Sequence, residues 1–252
     1  MACSDVEVAI AAAAAGAEVL RQRYGLSLVR HPKEGNDFAT DADIAAEIAV
    51  RDIVRAARPD DGFVGEELGA TAAADRTWLV DPLCGTLNFA AQTPLLAVNV
   101  ALRTGSTVTA AAAADPLAGE IFWTDRSTAW VRRGESDAQL APSAQSALVD
   151  LNLDAAPGQV HQLTTVQMLT SPAFAGQFGP RVVSTTLALA WVAAGRRAAY
   201  VSEGDLRDSV HFAAGIALCQ AAGALSQDCK GNSCTQKSVG WSLPPTATPT
   251  QP

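Results

Sequence analysis

The chain has 252 residues, 48% of them hydrophobic and 17% charged, which is enough apolar material for a core and too little charge for a disordered chain. A net charge of -8 with three lysines, Lys33, Lys230 and Lys237, leaves no basic stripe and argues against a nucleic-acid or anionic-membrane partner. The segment from Val6 to Leu20 is alanine-rich but interrupted by Glu7, Gly16 and Glu18, so it reads as neither a signal peptide nor a membrane span. Five cysteines, Cys3, Cys84, Cys219, Cys229 and Cys234, lack framework spacing, and the reading is a reduced, cytoplasmic protein.

Ser4 is positioned to cap a helix running to about Tyr24, with Glu7 as its capping-box partner and Gly25 as the stop. Leu26 to Val29 reads as a strand ended by His31-Pro32. The polar segment Lys33 to Asp43 leads into a helix predicted from about Ala42 to Ala57, which puts Asp41 and Asp43 at a helix start. Gly62 to Gly65 and Thr77 to Val80 read as strands that end in Glu66-Glu67 and Asp81. Acidic groups at strand ends open onto loops, where sites are built.

Four apolar or alternating runs follow, Leu95 to Leu102, Thr107 to Ala114, Glu120 to Thr124 and Thr128 to Val131, and they predict an antiparallel meander. Ala141 to Pro157 carries no clear signal. Beyond it come a strand at Arg181 to Val183, a helix over Thr186 to Ala194, a strand at Ala198 to Val201 and a helix from about Ser209 to Ala222. Cys219 in that last helix reads as a small core residue, while His31, and Cys229 and Cys234 with His161, carry no specific metal spacing. Residues 244–252 are rich in Pro and Thr and read as a disordered tail.

Asp37-Phe38-Ala39-Thr40-Asp41-Ala42-Asp43, Gly65-Glu66-Glu67 and Trp78-Leu79-Val80-Asp81-Pro82-Leu83-Cys84-Gly85-Thr86-Leu87-Asn88-Phe89 resemble, in order, the D-x-V-T-x-x-D, G-E-E and W-x-x-D-P-I/L-D-G-T-x-N-F elements of the inositol monophosphatase family. Arg181 to Thr186, Ala213-Ala214-Gly215 and Ala222-Gly223 are similar to its C-terminal elements. The resemblance implies a layered α-β-α-β-α sandwich, with an N-terminal α+β half over residues 1–137, a C-terminal α/β half over 138–243, and homodimers.

It also implies Mg²⁺-assisted hydrolysis of small phosphomonoesters, since hard cations take oxygen ligands and two or three of them can clamp a phosphate. On that pattern Glu66, Asp81, the Leu83 carbonyl and Thr86 form a first metal site. Asp43 and Thr86 orient the attacking water, and the Gly85 and Thr86 amides receive phosphate. Ser184, Thr185 and Glu203 fall where the family meets its substrate. Ser184 and Thr186 stand in place of the usual glycine and alanine, and Ala90-Ala91 in place of polar residues, which points to a narrower site and a less polar small-molecule substrate.

The second metal site departs from the family. Cys84 and His211 occupy two of its three aspartate positions while Asp81 remains, and thiolate and imidazole are poor ligands for Mg²⁺. Asp208 is an alternative to the lost ligand, although it also suits the cap of the last helix. Three readings stand. The leading one is a repurposed enzyme with no metal, in which Cys84, His211 and Asp81 carry out thiol- and imidazole-assisted chemistry on a small molecule, helped by a thiolate near the helix start at Gly85. The second is a Mg²⁺ phosphatase, or a Zn²⁺ phosphatase using Asp81, Cys84 and His211. The third is a catalytically inactive relic.

Overall fold

The computed structural model of the chain describes residues 3–33, 37–71, 74–154, 164–202, 206 and 209–227. Seven helices, α1 (Asp5–Arg23), α2 (Asp41–Ala57), α3 (Thr86–Ala90), α4 (Thr164–Thr170), α5 (Pro172–Gln177), α6 (Leu187–Ala193) and α7 (Ala213–Ala222), are found among them. The strands are β1 (Arg30–Pro32), β2 (Phe38–Thr40), β3 (Gly62–Gly65), β4 (Arg76–Cys84), β5 (Ala97–Thr104), β6 (Thr107–Asp115), β7 (Glu120–Thr124), β8 (Ala129–Arg133), β9 (Ser136–Gln139), β10 (Leu148–Leu151), β11 (Gly179–Val182) and β12 (Ala199–Val201).

Strands β3 to β9 form one sheet in sequence order, in which β3 pairs with β4 in parallel and every later pair is antiparallel. The period-2 alternation of a strand sorts its residues between the two faces. Val80, Val98, Val100 and Leu102 pack with α1 and α2, whereas Leu79, Ala101 and Ala111 pack with Ala214 and Ala217 of α7. A second sheet, β11-β10-β12, is wholly parallel. Val149, Leu151, Ala199 and Val201 on one of its faces meet Phe174 of α5, and Tyr200 on the other joins the α6 and α7 cluster. The result is a five-layer α/β sandwich.

Small side chains set the layer spacing. Ala110 to Ala114 of β6 are all buried, so helices approach the sheet closely from both sides. A Cβ on Gly16 of α1 would lie 2.9 Å from Val50 and 3.0 Å from Val98, so α1, α2 and β5 meet at a point with no spare volume. Ser4 caps α1 by accepting the Glu7 N–H, as its sequence predicts.

Several boundaries differ from the sequence reading. The first short strand is Arg30–Pro32 and not Leu26 to Val29, because Arg30 to Pro32 pair with Phe38 to Thr40 across a ribbon while Leu26 closes a turn on Arg23. Pro32 lies at the end of that ribbon, where its missing N–H costs no interior ladder bond. The last helix begins at Ala213, since residues 210–212 form turns, and β11 ends at Val182. The stretch from Ala141 to Pro157 contributes β10, the central strand of the second sheet. The meander gains β9, which extends it beyond the four runs expected. Asp208, Glu203, His161, Cys229, Cys234 and residues 244–252 lie outside the described residues.

Candidate metal centre

The site is assembled at the C-terminal ends of β3 and β4, the start of α2 and the turn that precedes α7. Asp81 lies opposite Asn99 in the β4–β5 ladder, and the register is broken between Asp81 and Cys84, where Pro82 cannot donate a ladder bond. Asp81 therefore shares the sheet face of Leu79, which is the face covered by α7. It is fully buried and accepts the Leu83 N–H at 3.2 Å. Gly215, in the first turn of α7, permits the close approach of α6, since a Cβ there would fall 2.5 Å from Leu189. That packing brings the preceding turn, with His211, over the end of β4.

His211 Nδ1 is 2.8 Å from Asp81 Oδ2 and 3.7 Å from Glu66 Oε2. One donor atom from each of the three residues lies within 4.8 Å of the other two. Lys33 Nζ donates to Glu66 Oε1 at 3.0 Å and to Glu67 Oε1 at 2.7 Å. Lys33 thus holds one Glu66 oxygen while the other faces His211. Burial, and then the charge of Asp81, push the Glu66 carboxyl well above the usual range. Burial opposes charge on His211, yet the charge and hydrogen bond of Asp81, with Glu66 beyond, carry its imidazole up to about 9.

A second pair sits beside this group. Thr86 Oγ1 donates to Asp43 Oδ1 at 2.8 Å and lies 3.3 Å from the Leu83 carbonyl. Asp43 Oδ2 accepts both the N–H and the hydroxyl of Thr40, at 2.8 and 2.5 Å, in a capping box at the head of α2. Burial raises the Asp43 carboxyl above its ordinary range against the pull of those hydrogen bonds. Gly85, between Leu83 and Thr86 at the head of α3, has φ 102°, and a Cβ there would meet the Leu95 carbonyl at 2.7 Å. Only glycine makes this turn without strain.

The structure brings together Glu66, Asp81 and His211, and separately Thr86, Asp43 and the Leu83 carbonyl. It does not form the Cys84 and His211 pair expected from the sequence. Cys84 Sγ accepts the Thr186 N–H at 3.2 Å and does not belong to the group of three donors. Burial, and next the Asp81 charge, push its thiol well above the ordinary value, so the expected thiolate is disfavoured. The helix that follows has five residues and offers little dipole to oppose this. The donor atoms that converge are those of Glu66, Asp81 and His211, and not those of the expected zinc set of Asp81, Cys84 and His211. Ser184 Oγ donates to Asp154, and the Ser184 carbonyl accepts from Asn88 at 2.8 Å. Thr185 is buried and accepts the Leu187 N–H, which gives it a structural role at the start of α6.

Two residues that build the site escaped the sequence reading. Glu47 is fully buried and accepts the Glu67 and Leu68 N–H groups at 2.7 and 2.9 Å, which shapes the turn carrying Glu66. Its carboxylate fills the space left by Gly65, where a Cβ would be 1.9 Å from Glu47 Oε1. The signal was its i+4 spacing from Asp43, a second acid on the same helix face. Lys33 was visible only as the single lysine before residue 230.

The donor chemistry can be set against a divalent cation. The carboxylates of Glu66 and Asp81 converge with an imidazole nitrogen, while Glu47 is held by the turn amides, Glu67 by Lys33 and Asp43 by Thr40 and Thr86. That arrangement fits one divalent ion on Glu66, Asp81 and His211. It does not fit a second magnesium ion, because Cys84 and His211 offer sulfur and nitrogen where a hard ion takes oxygen.

An α/β sandwich with acidic residues gathered at adjoining strand ends is the class of protein that the fold and the site define. Residues 4–249 match the model of the inositol monophosphatase family, and the chain belongs to that family. It is 35% identical over 199 residues to an inositol-1-monophosphatase of Caulobacter vibrioides, an alignment spanning 76% of this chain and 75% of the relative. It is 31% identical over 235 residues to the Nus factor SuhB of Pseudomonas aeruginosa, spanning 88% and 84%. Among solved structures, the extragenic suppressor protein suhB of Bartonella henselae superimposes with a TM-score of 0.79 at 27% identity, covering 89% of this chain and 87% of that one. No helix among the described residues is long and apolar enough to cross a membrane.

Proposed function

We propose that this chain is a metal-dependent phosphomonoesterase acting on a small phosphorylated compound. The observation that carries the reading is the convergence of Glu66, Asp81 and His211 beside the Thr86–Asp43 pair. The names of its relatives, an inositol-1-monophosphatase and a Nus factor, point in different directions, so the function is argued from the site.

Glu66, Asp81 and His211 would hold a divalent ion, which when bound would supply positive charge for the phosphate and for the developing charge on the attacking water. The chain's own groups do the rest. The Thr86 hydroxyl donates its hydrogen bond to Asp43 Oδ1 and so presents a lone pair to a water molecule. When that water attacks phosphorus, its proton passes to Thr86 Oγ1 as the Thr86 proton moves to Asp43 Oδ1, the ester P–O bond breaks with its electron pair going to the leaving alkoxide, and the alkoxide takes a proton from solvent water while Asp43 later returns its own to solvent. Burial favours that transfer by raising the proton affinity of the Asp43 carboxyl. The Gly85 and Thr86 backbone N–H groups are the donors for the phosphate in this reading, and Lys33 offsets the acidic rim formed by Glu66 and Glu67.

The test is phosphate release from a panel of sugar, cyclitol and aromatic phosphomonoesters with Zn²⁺, Mn²⁺ or Mg²⁺, with and without chelator. Metal-dependent turnover that falls by about 10²-fold or more in Thr86→Ala and Asp43→Asn is the expected result. Activity that persists in chelator and vanishes in Cys84→Ala would overturn it in favour of thiol chemistry. Absence of any turnover by a metal-loaded protein would favour an inactive binding protein.

A further inference from the structure

We propose that the metal centre selects a borderline ion of the zinc class over magnesium, and that His211 is the residue responsible. The inference rests on the reading that Glu66, Asp81 and His211 hold a metal, and it adds which metal they take. His211 presents its Nδ1 toward both carboxylates, at 2.8 and 3.7 Å, and belongs to the only donor group of its kind among the described residues. An imidazole nitrogen adds affinity for Zn²⁺ and its neighbours in the transition series, whereas Mg²⁺ gains little from nitrogen and sheds its water reluctantly. One nitrogen and two carboxylate oxygens make a three-ligand set with room for water or phosphate, as in zinc sites that keep an open position.

The surroundings favour the same choice. Asp81 is fully buried at the base of the group, while His211 and Glu66 keep 41% and 21% of their side chains exposed, which leaves one open side for water or phosphate. Lys33 already takes one oxygen of Glu66, which leaves Oε2 as a single donor on the side of His211. Cys84 stays outside the set, with its sulfur on the Thr186 amide at 3.2 Å. The preference therefore comes from nitrogen and not from sulfur.

The experiment uses the full chain, stripped with chelator and dialysed against Zn²⁺ in a large excess of Mg²⁺, with metal content measured by mass spectrometry. The Co²⁺-loaded protein gives an independent optical readout of ligand type. The expected result is about one zinc per chain retained against magnesium. His211→Asp should lose at least about 100-fold of the Zn²⁺ over Mg²⁺ preference and should weaken the Co²⁺ bands. Cys84→Ser should keep both signals. His211→Asn, with thermal unfolding of each variant recorded, separates loss of the nitrogen from loss of the fold.

Preferential retention of magnesium by the natural protein would overturn the inference and leave the phosphomonoesterase reading standing. An unchanged preference in folded His211→Asp would overturn it as well. Loss of zinc in Cys84→Ser would assign the selectivity to sulfur. Failure of any divalent ion to bind would bring down the proposed function and the inference together.

Discussion

His211 Nδ1 lies 2.8 Å from Asp81 Oδ2, although 130 residues separate the two in the chain. The contact joins the last helix to the strand at the centre of the site. It also puts the imidazole beside a fully buried carboxylate.

Breaking that contact should change the titration of His211 in the metal-free protein. Its imidazole stands at about 9 against the opposing effect of burial, chiefly through Asp81. In Asp81→Asn the charge and the charge-assisted bond go, so the value should fall toward the ordinary histidine range near 6.5. An NMR titration of the His211 ring in chelator checks this. A midpoint still near 9 would show that Glu66 alone is sufficient.

Lys33 sits between Glu66 and Glu67, half-buried, and lowers the negative potential that a metal ion meets. Its replacement by Met should tighten divalent-ion binding about 3- to 10-fold, because an ammonium 3.0 Å from a ligand carboxylate opposes a second cation. Calorimetric titration with Zn²⁺ measures it. Weaker binding would mean that Lys33 serves mainly to orient Glu66.

Cys84 should react slowly with alkylating agents. Its thiol is pushed up by burial and by Asp81, whereas Cys3 is exposed. Timed treatment with iodoacetamide at pH 8 and peptide mapping should find Cys3 modified well before Cys84. The opposite order would revive the reactive-thiol reading.

Glu120 links stability to pH away from the site. Hydrogen bonds from Arg196, together with Arg133, hold its carboxyl below the usual value despite burial. The unfolded chain therefore takes up this proton first on acidification. The stabilisation is fully present above the ordinary carboxyl value of 4.5 and is lost as the pH falls from there through the lower native value. Glu120→Gln should cost about 2 kcal/mol at pH 7 and flatten that part of the stability curve, as read by denaturant melts between pH 3 and pH 7.

Gly16 should not tolerate a larger side chain. In Gly16→Val the added methyls must displace Val50 or Val98, at a cost of about 1–3 kcal/mol without any direct effect on the site. A lowered melting temperature with metal binding intact is the expected outcome.

Much of this protein could be read from its residues alone. The alternation of apolar positions gave the meander its strands, and Ser4 and Thr40 mark the first two long helices because caps are local chemistry. The Asp37, Gly65 and Trp78 segments placed Asp43, Glu66 and Thr86 at strand and helix ends, where the structure also finds them, whereas Asp81 lies inside β4, which runs on to Cys84. Short elements were less legible. The ribbon Arg30–Pro32 depends on a partner strand and not on its own composition, and the buried run Leu148–Leu151 becomes a strand only between two neighbours.

Which donors converge was decided by tertiary structure. The chain by itself set the residue types, including Cys84 and His211 in place of two acids. The resemblance to the family implied that Cys84 and His211 share the walls of one ion site and made them partners. The broken register after Asp81 and the Thr186 amide instead hold the Cys84 sulfur apart from the donor group, while the turn after β3 delivers Glu66. The directions in which side chains leave a bulge and a helix-end turn depend on packing between layers, such as α7 on α6 at Gly215. That packing is a property of surfaces brought together from across the whole chain, and no local pattern of residues encodes it.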